Sequence, residues 1–134
     1  MSRRDAREKA FMLLYQLEIQ KGSEEEQITS FIAEREVDPS EVEYLTRLVN
    51  GVRSCRDELD SLFTPFLKRW TKERLPKIDL TILRLAVYEM FHIPEVPKNV
   101  AISEAVLLCK KYSSEESRSY INAVLGRLSG GDAS

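Results

Sequence analysis

Near the carboxyl end of this 134-residue chain, "SEESRSYINAVLGRL" sets a cation, an aromatic ring and an amide close together as Arg118, Tyr120 and Asn122, with Ser119 among them. These side-chain types read single-stranded RNA: arginine neutralises phosphate, the ring offers a stacking platform, and the amide bonds base edges. A second set lies at the other end, where Arg3, Arg4, Arg7 and Lys9 fall within the first nine residues of a chain whose net charge is −2. They open a helix whose dipole is already positive at that point, so cations there are electrostatically unfavourable. An external anion relieves the conflict, and a run of phosphates is one such anion. Taken singly, each residue has an ordinary role. Tyr120 reads as a half-buried packing ring, Asn122 as an amide satisfied by backbone, and a charge run as a solvated face.

Signs of catalysis are missing. The sequence has no Gly-rich phosphate loop, no GxSxG and no cue for a serine or cysteine nucleophile with its base. Glu115 and Glu116 suit the start of a helix better than a general acid and base. His92 is the single histidine; it falls in the Pro-bounded run "HIPEVPKN" with no cysteine or carboxylate at metal-ligand spacing, so a structural or solvent-exposed role is expected. Cys55 and Cys109 stand outside any CxxC and read as small buried hydrophobes, with a disulfide between them the lesser alternative. The expectation is a binding protein, not an enzyme, with no metal and no cofactor.

Composition agrees with that. With 43% hydrophobic and 31% charged residues the chain is globular, and at this length a single domain buries roughly two thirds of its unfolded surface without staples. The apolar run "LTILRLAVY" is interrupted by Arg84 and falls short of the roughly 18 residues that a membrane span needs. No secretory signal pattern opens the chain, so the cytoplasm is the expected location. Charge is segregated: eight acids and one cation lie between positions 23 and 43, whereas "LKRWTKERLPK" carries five cations and one acid.

The elements that would carry these groups are helices. Ser2 with Asp5 makes a capping-box start, and Ala6, Ala10, Leu13, Leu14 and Leu17 form one buried stripe, predicting a first helix over about 3–21. Gly22 ends it; Ser23 with Glu26 opens a short second helix containing Ile28, Phe31 and Ile32. Asp38-Pro39 starts a long third helix running to Phe63, with Gly51 its weak point. Thr64-Pro65 starts a short fourth, carrying Phe66, Leu67 and Trp70. Ile78 to Met90 is apolar around most of its circumference and predicts a central buried helix. A sixth helix follows over 100–112, and Ser113 with Glu116 opens a seventh whose stripe is Ser117, Ile121, Val124, Leu125 and Leu128. The expected fold is all-α, about seven helices in two bundles, 1–63 and 64–128, with a tail over 129–134.

The runs "RLPKIDLTILRLAVYEM", "IPEVPKNVAISEAVLLCKKY" and "YINAVLGRL", with the opening "RRDAREKAFMLLYQLE", strongly resemble the bacterial NusB family of transcription antitermination factors. The resemblance covers essentially the whole chain. It implies two packed helical bundles and a function: binding boxA RNA jointly with NusE, a ribosomal protein, in RNA polymerase antitermination complexes with other Nus factors on ribosomal RNA operons. Carried over by position, its RNA surface falls on Arg3, Arg4, Arg7 and Tyr15 of the first helix, Asp79 of the fifth, and Glu116 and Tyr120 of the seventh. Arg118, Ser119 and Asn122 join as neighbours of Tyr120. Asp5 interrupts the arginine run and Gly126 lies inside the last helix, both departures from the family pattern. A homodimer of the free chain stays open.

Rival readings belong to other classes. A helical protein-binding adaptor without intrinsic RNA specificity would use the first-helix cations on an acidic partner. The NusB-like domain joined to ribosomal RNA cytosine methyltransferases is disfavoured, because nothing after it could hold a methyl donor. A DNA-binding helix-turn-helix would need a cationic recognition helix after a Gly turn, and none is evident.

Overall fold

The computed structural model describes residues 3–68 and 71–130. Among these residues every regular element is helical: α1 (Arg3–Ile19), α2 (Glu24–Glu34), α3 (Pro39–Phe63), α4 (Lys77–His92), α5 (Lys98–Tyr112) and α6 (Glu115–Leu128), with 3-10 turns at Thr64–Phe66 and Lys72–Arg74. The all-α expectation holds. The expected short fourth helix is the Thr64–Phe66 turn, started by Pro65 and closed by the Leu67 amide bonding back to the Thr64 carbonyl at 3.1 Å. Trp70, expected in that helix, and Ser2, expected to cap α1, lie outside the described residues.

Local signals explain most boundaries. Gly22 adopts φ +116°, a conformation that side chains with a Cβ resist, and α1 stops before it. The Ser23 hydroxyl then accepts from the Glu26 amide at 3.2 Å, and three glutamates occupy the favourable first turn of α2. Asp38 accepts from both the amide and the hydroxyl of Ser40, at 2.8 and 2.7 Å, so its carboxyl titrates below the ordinary aspartate range. Proline then begins α3, which passes through Gly51 unbroken.

The chain divides into two compact helical units, Met1–Gly51 and Val52–Ser134. The division falls inside α3, not at its end, because the second half of that helix is bound to α4: Asp60 takes a two-pronged bond from Arg84, Oδ1 from Nε and Oδ2 from Nη2, both at 2.8 Å. Lys72 adds a third contact to Asp60 at 3.2 Å. In the first unit, Ala6, Ala10, Phe11, Leu13 and Leu14 of α1, Phe31 of α2 and Leu45, Leu48 and Val49 of α3 are buried. In the second, α4 is central: each residue from Asp79 to Val87 is buried, as its all-round apolar pattern predicts. Both α5 and α6 pack on α4 and on each other.

Two expectations change. His92 is the last residue of α4 and not part of the following loop. Ser114, not Ser113, caps α6, accepting from the Ser117 amide at 3.0 Å. Both cysteines are free; Cys109 is fully buried, whereas Cys55 is only half-buried. No helix among the described residues is long and apolar enough to cross a membrane.

Candidate nucleic-acid interface

In the second unit a buried carboxylate sets the site. Asp79, in the first turn of α4, is 2% exposed. Its Oδ1 accepts from the Ser113 hydroxyl at 2.7 Å and its Oδ2 from the Ser117 hydroxyl at 2.5 Å. Ser113 ends α5 and Ser117 lies in the first turn of α6, so one side chain ties three helices together where α6 begins. Displacing Ser113 from the capping role thus frees its hydroxyl for Asp79. Hydrogen bonds to a charged acceptor contribute about 1.5–3 kcal/mol each, enough to hold the start of α6 in one register.

From that anchor α6 presents Glu116, Ser119, Tyr120, Ala123 and Arg127 to one groove, which Phe66 and Lys68 complete. The spacing 116, 119/120, 123, 127 is a single helical face. The groove encloses about 570 Å³, within the usual range for a small-ligand pocket. A smaller cavity of about 170 Å³ lies against Pro76, Asp79 and Ser117 and shares Glu116 and Tyr120 with the groove. Tyr120 is half-buried between them. Lys68 and Arg127 bring positive charge, and Glu116 is the one acid on the lining. Among the nearby residues expected to act, Arg118 reaches Glu115 at 3.2 Å and Asn122 is exposed; neither lines the groove. Positions 118 and 122 share another face of α6, so the expected Arg118, Tyr120 and Asn122 set is divided between two faces.

The first unit holds the amino-terminal cations. Arg3 and Arg4 are exposed, and the Arg3 guanidinium carbon sits 4.8 Å from the centre of the Tyr44 ring. Arg7, in contrast, is only 5% exposed. It falls on the α1 stripe between buried Ala6 and Ala10, which takes its head group away from solvent. Lys9 Nζ bonds to Glu41 Oε1 at 2.7 Å and holds that buried carboxyl below its ordinary range. Tyr15 is half-buried and stacked with Phe11, the ring centres 6.3 Å apart. Of the four amino-terminal cations, Arg3 and Arg4 are the two exposed to solvent.

Residue types pointed to Tyr120 with its neighbour Ser119, and the family resemblance to Glu116, but Phe66, Lys68, Ala123 and Arg127 were missed. The missed signal was the 3.6-residue continuation of the Glu116 and Tyr120 face to Arg127.

Comparison with known proteins follows this geometry. The family model described as the NusB family matches residues 4–129. The transcription antitermination protein NusB of Acetivibrio thermocellus is 48% identical over 128 residues, covering 96% of this chain and 88% of that protein. A crystal form of T. maritima NusB superposes with a TM-score of 0.88 at 29% identity, covering 97% of this chain and 92% of that one. A crystal structure of the antitermination factors NusB and NusE in complex with double-stranded RNA superposes at TM-score 0.86 and 25% identity, with 96% of each chain covered.

Proposed function

Because the chain belongs to the NusB family, we propose that it is a cytoplasmic transcription antitermination factor that binds single-stranded boxA RNA of ribosomal RNA operons jointly with NusE. It acts by binding, within an RNA polymerase complex that contains other Nus factors. The observation that carries the RNA assignment is the α6 groove, where the Tyr120 ring, two cations and one acid converge.

Each group has a physical role in this reading. Tyr120 stacks an unpaired base, a contact that does not depend on base identity. Lys68 and Arg127 meet flanking phosphates, and Arg3 and Arg4 neutralise others, turning the unfavourable start of α1 into an anion site. Glu116 repels phosphate and accepts from exocyclic amino groups, which keeps the backbone at the cationic edge and orients a base inward. Asp79 acts from the interior: with both oxygens occupied by serines it sets where α6 starts, and hence where Tyr120 stands. The resemblance to a solved complex of NusB and NusE with RNA supports the paired mode of binding.

Fluorescence anisotropy with boxA RNA, a scrambled single strand, duplex RNA and duplex DNA, each with and without NusE, tests the proposal. Tightest binding to boxA, strengthened by NusE, is expected. Equal affinity for the scrambled strand, or preference for either duplex, would overturn the single-strand reading. Capture of NusE without measurable RNA binding would favour a protein adaptor.

A further inference from the structure

One cluster of chemistry-bearing side chains lies outside the groove. Cys55 and Glu58 are three residues apart on the same face of α3, and His92 closes α4 beside them. One potential ligand atom from each, the Cys55 sulfur, a Glu58 carboxylate oxygen and a His92 ring nitrogen, lie within 4.8 Å of one another. We propose that Cys55, Glu58 and His92 form a binding site for a thiophilic divalent transition metal, with Zn(II) the ion that fits.

Geometry and donor type both support this. His92 Nε2 stands 3.8 Å from Glu58 Oε2, too far for a hydrogen bond. That nitrogen is buried from solvent yet makes no hydrogen bond, an arrangement that a metal bond would satisfy. The imidazole is already oriented, stacked on Tyr88 with ring centres 4.9 Å apart and planes 12° from parallel. Zinc bonds of about 2.0–2.3 Å place tetrahedral ligand atoms about 3.3–3.6 Å apart, so separations of up to 4.8 Å close with changes of at most about 1.5 Å. Glu58 is exposed and can supply that movement. A sulfur, an imidazole nitrogen and a carboxylate select zinc-like ions over Mg(II) and Ca(II), which prefer oxygen ligands throughout. Three protein ligands leave the fourth position to water. On coordination the Cys55 thiol proton passes to solvent and the sulfur binds as thiolate; no electron transfer is involved.

The site joins the second half of α3 to the carboxyl end of α4, the two helices already bridged by Asp60 and Arg84. Thirteen residues of α4 separate His92 from Asp79, about 20 Å of helix. RNA affinity therefore serves as an independent control, and failure of either proposal leaves the other standing.

Co(II) added to the untagged, reduced full chain provides the test. A thiolate-to-cobalt charge-transfer band with the intense visible bands of four-coordinate cobalt is expected, both bleached by equimolar Zn(II). Cys55→Ser should abolish the charge-transfer band, His92→Gln should weaken Zn(II) affinity by on the order of 100-fold, and Cys109→Ala should leave both unchanged. Zn(II) should also slow modification of Cys55 by a thiol reagent in the unmutated protein, a readout that no variant's folding can confound. Absence of the charge-transfer band, its persistence in Cys55→Ser, or no protection of Cys55 would overturn the proposal.

Discussion

Ionic strength is the perturbation that most directly separates buried or bonded cations from exposed ones. Of the charges at the start of α1, Arg7 is buried and Lys9 is bonded to Glu41, leaving Arg3 and Arg4 exposed. The α6 groove adds Lys68 and Arg127. Four phosphate contacts at about −0.7 each give a slope of log affinity against log salt of about −2.8, or a loss of about 50-fold between 50 and 200 mM salt. Four contacts were also the count from sequence, but the residues differ, and the variants separate the two sets. Arg3→Ala, Arg4→Ala, Lys68→Ala and Arg127→Ala should each make the slope shallower by about 0.7. Lys9→Ala should leave the slope unchanged while lowering stability, because the buried Glu41 carboxylate then loses its bond from the Lys9 ammonium. Anisotropy titrations of a boxA strand at five salt concentrations, paired with urea melts, measure both. A flat slope for the unmutated protein, or a Lys9→Ala slope change equal to that of Arg3→Ala, would refute the reasoning.

Tyr120→Ala should weaken RNA binding by about 1–3 kcal/mol if one base stacks there, whereas a lower melting temperature at unchanged affinity would return the ring to a packing role. Glu41 is held below its ordinary value chiefly by the Lys9 hydrogen bond, so its contribution to stability is complete above about pH 4.5 and is lost as pH falls through the lowered folded value; urea midpoints across the acid range should show Glu41→Gln flattening that limb only. Gly126 has no neighbour within 4 Å of where a Cβ would stand, so Gly126→Ala should raise stability by about 0.5–1 kcal/mol through helix propensity, and a destabilised variant in thermal melts would contradict the open space.

Helix positions were legible where one strong local rule acted. Gly22, Ser23 and Asp38-Pro39 mark boundaries that the structure keeps, and the apolar circumference of α4 announced its burial. The capping serine of α6 was not legible, because Ser113 and Ser114 have the same local propensity; only the distant Asp79 decides between them by engaging the Ser113 hydroxyl. The burial of Arg7 was not legible for a related reason. Charge suggests solvent, yet its place on the α1 stripe is interior, and helical phase outweighed residue type. The Cys55, Glu58 and His92 cluster could not be found by spacing along the chain, since His92 meets the other two only when α4 packs beside α3.

In the proposed reading Asp79 serves the site by positioning α6. An acid at an RNA groove is electrostatically unfavourable, so a carboxylate there that merely touched RNA should bind more tightly once neutralised. Asp79 is instead buried with both oxygens bonded to serines, bonds that a charged acceptor strengthens. The same logic extends to Asp60 and Arg84, a buried pair whose two-pronged geometry fixes the register of α3 on α4. Removing one partner of such a pair costs about 3–5 kcal/mol because the other charge stays buried. The two carboxylates thus divide the work of the second unit: Asp60 joins α3 to α4, Asp79 joins α4 to the start of α6, and the groove inherits its shape from both. In the proposed reading the positive charge that meets RNA comes from exposed residues, Arg3, Arg4, Lys68 and, half-exposed, Arg127, where phosphate can replace water without unburying anything.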